Sequence, residues 1–242
     1  MSQKNALYGA IAKHYDQIYH WKDYQRETLK IKKLIKENSR IRAKTLLDVA
    51  CGTGKHIQYL KDDFKCVGID VSEQMLEVAR RNAPNVEFVK GDMANFELGR
   101  KFDIVLCLFS SIGYLRTKNS VSRAIANFSR HMSRGGVLIV EPWIRRSVWR
   151  DKSVHLQTFD SESVKIARVS YSHAEEPFSI LDERYLIAEE GKGIACFKDR
   201  HKLRFFEPKF TLEAMKSVGL KPNLTQYSLM PGRGLIIATK VS

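Results

Sequence analysis

Apolar positions fall at helical spacing through the first forty residues and then gather, after Ala43, into short continuous runs divided by amphipathic segments. Aromatic residues punctuate residues 7–24, and Leu29, Ile31, Leu34 and Ile35 share one helical stripe, so residues 1–40 are expected to be helical. TLLDVA then reads as a strand, GKHIQYLKDD as a helix, KCVGIDV as a strand and SEQMLEVARRNA as a helix capped by Ser72. VEFVKGD and FDIVLCLFS are strands, SVSRAIANFSRHM is a helix stopped by the pair Gly135 and Gly136, and VLIVEPW is the next strand. Helices alternating with strands that are apolar throughout imply a parallel sheet covered on both faces.

From about Val154 to Phe206 the pattern changes. SVKIARVSYS, FSILDERYLIA and GIACFKDRHKLRFF alternate with period two around turns at EEP and EEGKG, as antiparallel strands do. A helix over PKFTLEAMKSV leads into LTQYSL, and MPGRG turns the chain into a last strand, GLIIATK.

The length of 242 residues fits one α/β domain with an insertion, or two small domains. No window approaches the roughly 18 apolar residues of a membrane span, and the polar N-terminus lacks a signal-peptide pattern, so a cytoplasmic location is expected. Cys51, Cys66, Cys107 and Cys196 have no metal-ligand spacing, and no metal is expected. The net charge of +14 admits nucleic acid, an anionic membrane or an acidic substrate. Its cations are dispersed, with only short clusters at residues 30–36, 145–150 and 198–204, which favours a solvated surface over a nucleic-acid stripe.

The chemistry concentrates in LLDVACGTGKHIQYL. Asp48 ends a strand, and Gly52 and Gly54 let a backbone turn approach a ligand closely. Asp70 ends the next strand, where an acid can take both hydroxyls of a ribose, and Asp92 follows the third, placed for an adenine edge. The third small residue of a dinucleotide fingerprint is missing, as is a GKS/T phosphate loop. An adenosine ligand without a pyrophosphate fits. DVACGTG, GIDVS and KGD together resemble the class I S-adenosylmethionine-dependent methyltransferases over about residues 46–143.

No Asn/Asp-Pro-Pro-aromatic turn follows the fourth strand, and no Pro-Cys nucleophile is present, so base methylation is not indicated. YDQIY, FSSIGYLRT, GGVLIVEPW, IARVSYS, GKGIACFKDRH and PGRGLII are similar to the N,N-dimethyltransferases of TDP-linked 3-amino-deoxysugars, over nearly the whole chain.

This resemblance implies an α/β, Rossmann-like, doubly wound sheet of seven mostly parallel strands, the last antiparallel, with an antiparallel β insertion after strand five. The expected divisions are a helical cover (1–40), a cofactor-binding core (41–144), the insertion (145–206), which roofs the acceptor pocket or pairs two subunits as a homodimer, and a closing helix and hairpin (207–242). It implies S-adenosyl-L-methionine as cofactor, held by Tyr15, Asp48, Ala50, Cys51, Gly52, Gly54, Asp70, Val71, Met75, Asp92, Met93 and Leu108. The acceptor would meet Tyr19, Ser110, Tyr114, Trp143, His201 and Arg233, with Tyr19 facing the amine and Arg233 at the rim for a phosphate or carboxylate. Tyr19 is the expected catalytic residue. His131 reads as structural, and His201 as a surface residue that could reach the acceptor. Another small amine, a carboxylate or a phenol stays open as acceptor, and a non-catalytic RNA- or protein-binding module is the reading from a different class.

Overall fold

The structure is a computed structural model that describes residues 5–225 and 228–241. Its centre is a seven-stranded sheet in the order β10-β11-β5-β4-β1-β2-β3. The strands are β1 (Thr45–Val49), β2 (Lys65–Asp70), β3 (Glu87–Lys90), β4 (Phe102–Cys107), β5 (Met132–Val140), β10 (Leu220–Thr225) and β11 (Leu235–Lys240). β1 to β5 are parallel, while β11 runs antiparallel to both β5 and β10. Leu46, Leu47, Ile69, Ile104, Val105 and Leu138 are fully buried, as expected of strands covered on both faces. The covering helices are α2 (Tyr24–Asn38), α3 (Lys55–Leu60), α4 (Glu73–Asn82), α5 (Lys118–Arg130) and α6 (Pro208–Lys216). Ser72 caps α4 by accepting from Met75 N, and Asp23 caps α2 in the same way from Arg26 N.

Between β5 and α6 the chain builds a second sheet, order β6-β7-β8-β9, fully antiparallel. Its strands are β6 (Ser153–Asp160), β7 (Val164–Glu175), β8 (Phe178–Glu189) and β9 (Gly193–Arg204). One face carries Ile166, Tyr185 and Ile187 into a core shared with Leu7, Ile11, Tyr15 and Ile18 of the N-terminal segment and with Met75 of α4. The N-terminal segment thus lies between the second sheet on one side and α4 with Phe109, just past β4, on the other.

Three sequence expectations need correction. Residues 7–23 form only a turn of 3-10 helix (Ala12–His14) and the short α1 (Tyr15–Ile18), because their apolar residues face the second sheet and α4 on different sides rather than forming one stripe. Gly135 and Gly136 do not end α5; they lie inside β5, beside a register shift between β4 and β5. β5 stops at Val140, before the EPW triplet, whose proline has no N–H for the ladder. The strand read over LTQYSL includes residues 226 and 227, which lie outside the described residues. The strand that is described, β10, begins earlier, at Leu220, and carries Pro222 on a sheet edge, where a missing donor is tolerated.

Candidate active site

The parallel strands end on one edge, and there the backbone leaves ordinary conformations. Ala50, Gly52 and Gly54 have φ of 59°, 56° and 69° in the turn from β1 to α3, and Phe109 and Ser110 have φ of 50° and 61° just past β4. Left-handed non-glycine residues store strain and cluster where a ligand must be met. The glycines are also needed for space, since a Cβ on Gly54 would stand 3.2 Å from Ala79 Cβ and from the Phe88 ring.

Asp70 holds this turn. Its Oδ2 accepts from Gly52 N and its Oδ1 from Ser72 N, both at 2.9 Å. Asp16 braces the turn from α1, accepting from Thr53 Oγ1 and Asn82 Nδ2. A cavity of about 490 Å³ opens here, lined by Asp48, Ala50, Cys51, Gly52, Asp70, Val71, Met75, Met93 and Leu108 of the sequence-derived cofactor set, together with Tyr15. Gly54 lies behind the lining as the first residue before α3, and Asp92 is exposed, accepting from Ala94 N. Lys90, at the end of β3, lines the cavity instead.

Burial pushes the Asp48 carboxyl up to about 8, helped by the charge of neighbouring Asp70. Burial likewise raises Asp70, against the backbone N–H groups that lower it. Two carboxylates made costly by burial, a close-approach backbone turn and apolar Met75, Met93 and Leu108 suit a cationic nucleoside ligand such as S-adenosylmethionine.

The same cavity continues past Ser111 to Asn5, Tyr8 and Tyr114. Tyr114, on the one-turn helix Ser111–Tyr114, has its hydroxyl 2.7 Å from that of Tyr8 and 2.8 Å from His201 Nδ1. Of the other residues expected at the acceptor, Tyr19, Ser110, Trp143, His201 and Arg233 stand behind the lining rather than in it. Tyr19 packs edge-on against Phe109 and accepts a hydrogen bond from Arg168 Nη1 at 3.1 Å. Ser110 is buried, donating to Pro142 O, and Trp143 Nε1 donates to Ser179 Oγ.

Two expectations fail on burial. His201 is not a surface residue: it is 3% exposed, because it lies on the inward face of β9. Arg233 is not at the rim either. Its side chain is folded inward, 14% exposed, over the rings of Phe109 and Trp143. Its Nη1 lies 4.0 Å from Oε1 of Glu141, which is fully buried, and neither atom has a hydrogen-bond partner. That separation is too long for a hydrogen bond, and burial shifts both groups against their charged forms.

Sequence reading missed Glu141, which holds Phe109 by accepting from its N–H at 2.7 Å. A signal was present: like Asp48 and Asp70, it is an acid at the carboxyl end of a parallel strand. It also missed the buried group Lys22, Glu27 and His56. Glu27 accepts from Lys22 and lies 2.8 Å from His56 Nε2, while Lys22 stands over the Tyr24 and Phe109 rings. His131 is structural as expected, receiving Leu98 N at its Nε2. Among the described residues no cluster of acids, histidines or cysteines could hold a metal.

A Rossmann-like sheet with a glycine turn and an acid at the end of the second strand defines the class of nucleoside-cofactor enzymes to which methyltransferases belong. A family profile described as "Methyltransferase domain" matches residues 46–136. A dTDP-3-amino-3,4,6-trideoxy-alpha-D-glucopyranose N,N-dimethyltransferase of Streptomyces venezuelae is 36% identical over 217 residues, 89% of this chain and 91% of that protein. The crystal structure of Streptomyces venezuelae DesVI superposes with a TM-score of 0.89 at 35% identity, covering 95% of this chain and 98% of that one. The S-adenosylmethionine-bound structure of CalS10, an amino pentose methyltransferase from Micromonospora echinaspora, does so with a TM-score of 0.84 at 30% identity, over 99% and 100%. The chain belongs to the S-adenosylmethionine-dependent methyltransferases, within the family of the sugar N,N-dimethyltransferases. It is an enzyme and its cofactor is S-adenosylmethionine.

Proposed function

We propose that the chain methylates the amine of a nucleotide-linked aminosugar. The observation that carries this reading is one continuous cavity running from the glycine turn to a wall of hydroxyl and amide groups on Asn5, Tyr8, Ser111 and Tyr114, which suits a polar sugar acceptor. The relative at 36% identity is named for such a sugar, and the likeness extends through the second sheet.

The cofactor supplies an activated methyl on sulfur, so the protein has to position the acceptor and exclude water. Asp70 would take the ribose, Asp48 would lie under the cationic part of the cofactor, and Met75, Met93 and Leu108 would give it apolar contact. Tyr15, Ala50, Cys51, Gly52 and Val71 would complete that contact, with Gly54 shaping the turn and Asp92 near the adenine. Tyr19 would act on the acceptor from behind the lining, braced by Arg168 and packed edge-on against Phe109, which lines the cavity. Ser110, Trp143 and Arg233 would shape the acceptor end from behind through Phe109 and Glu141. The second sheet and residues 5–24 would roof the pocket.

Methyl transfer to a panel of TDP-linked aminosugars and their free sugars tests the reading. Turnover of the nucleotide-linked amines is expected; good turnover of an unrelated amine, acid or phenol with none of these would refute it.

The outer face of the second sheet is apolar, with Val154 and Ile194 each 73% exposed and Leu156, Val169 and Leu186 also open. A second copy covering this face would remove it from water, and we propose a homodimer formed there. Among the described residues no helix is long and apolar enough to cross a membrane. Four cysteines left as thiols accord with the reducing cytoplasm.

A further inference from the structure

Behind Tyr114 the second sheet carries charged groups that positioning alone does not require. Strand alternation turns Glu183 of β8 and Asp199 of β9, which are register partners, and His201 of β9 toward the N-terminal segment. His201 Nδ1 lies 2.8 Å from the Tyr114 hydroxyl and 2.6 Å from the Asn5 side-chain amide. Its Nε2 makes no hydrogen bond and faces two carboxylates, Glu183 Oε2 at 3.4 Å and Asp199 Oδ2 at 3.5 Å.

Both carboxylates are fixed. Glu183 accepts from Tyr185 and from Ser170, with Arg168 of β7 3.9 Å away, and Asp199 accepts from Leu7 N and Arg200 N. Tyr8 closes the array from the cavity side. Two buried carboxylates thus face one edge of the imidazole while its other nitrogen faces the Tyr114 hydroxyl. The array therefore reads, from inside outward, carboxylate pair, imidazole, phenol, cavity.

An alkyl ammonium cannot attack a methyl group. It must first lose a proton, and each methylated product carries one more to lose. We propose that Tyr114 and His201 are the outlet for these protons. This rests on the amine-acceptor reading. The acceptor's N–H proton passes to the Tyr114 oxygen as the Tyr114 proton passes to His201 Nδ1. The imidazolium formed is held by Glu183 and Asp199 until the proton leaves to water after release. The freed nitrogen pair forms the N–C bond, the C–S bond of the cofactor breaks, and its electron pair stays on sulfur. Tyr114 is the catalytic residue and His201 the group acting through it. Burial keeps the Tyr114 phenol protonated, so it passes the proton on without becoming a stable phenolate.

The test is initial-rate methyl transfer to a TDP-linked 3-aminosugar from about pH 6 to about pH 10, for wild type, Tyr114→Phe and His201→Gln. Both variants are expected to lose about 100-fold in kcat near pH 7, with the deficit shrinking to about threefold near pH 10, where the amine deprotonates unaided. Cofactor affinity should not change. A wild-type kcat near pH 7 in Tyr114→Phe, or a loss of equal size at every pH, would overturn the relay. Should His201→Gln fail to fold, Tyr114→Phe, which keeps the ring, decides alone. If wild type turns over no nucleotide aminosugar at any pH, the acceptor reading fails and takes the relay with it. Wild-type turnover with a pH-independent deficit removes the relay alone.

Discussion

Asp48 sits 2% exposed at the end of β1, and its carboxyl is raised from 3.8 to about 8. Between about pH 4 and about pH 8 the folded chain keeps a proton there that the unfolded chain has released, so this group makes stability fall as pH rises through that window. Asp48→Asn removes the slope. Without cofactor, the variant should match wild type near pH 4 and exceed it by roughly 2–5 kcal/mol near pH 8 in denaturant titrations. Asp70 acts differently, since its oxygens already hold two backbone N–H groups, Gly52 of the cofactor turn and Ser72 at the start of α4. Asp70→Ala should weaken cofactor binding by about 1–3 kcal/mol in calorimetry, and unchanged affinity would remove Asp70 from the ribose. Arg233 and Glu141 form a buried pair too long to hydrogen bond. Arg233→Met alone leaves Glu141 uncompensated and should cost about 3 kcal/mol, whereas Arg233→Met with Glu141→Gln should cost much less, a non-additivity that a double-mutant cycle reads directly.

At the scale of elements, the cofactor turn and the end of β4 share left-handed backbone, and both form walls of one cavity. Their strain is held by cross-links from elsewhere: Asp70 from β2, Asp16 from α1 and Glu141 from the end of β5. Gly136 shows why an element can be read correctly and its punctuation wrongly. A Cβ there would stand 2.6 Å from Asp103 O, a backbone atom of β4 that cannot swing away. The glycine permits close strand approach at the register shift, rather than ending the preceding helix. Gly136→Ala should therefore destabilise the fold by about 1–3 kcal/mol, measured by thermal unfolding, with little change in cofactor affinity for the fraction that folds.

For the whole molecule, the second sheet closes on a thin N-terminal segment laid over α4, so the acceptor end of the cavity is built from residues distant in sequence: Asn5 and Tyr8 meet Tyr114 and His201. The outward face of the second sheet bears on assembly. Leu156→Glu with Val169→Lys, both exposed and cross-strand partners, should shift sedimentation from dimer to monomer if a second copy covers that face. A wild-type monomer at all concentrations would refute the dimer.

What the chain spells out locally was legible. Strand and helix periodicity, the switch to period two after about residue 150, the turn CGTG and the acids after the first two strands are contained in windows of a few residues. They lead to the α/β sheet, the antiparallel insertion and the cofactor. The acceptor end was legible only in part, for a physical reason. Alternation along β8 and β9 divides their residues between two faces but does not say which face is covered. Glu183, Asp199 and His201 are polar residues of a kind that belongs on a surface, and the outward positions Val154, Leu156 and Ile194 are apolar. Only the packing of that sheet on residues 5–24 turned the charged groups inward, and only the return of the last hairpin brought Arg233 over Phe109 and Glu141.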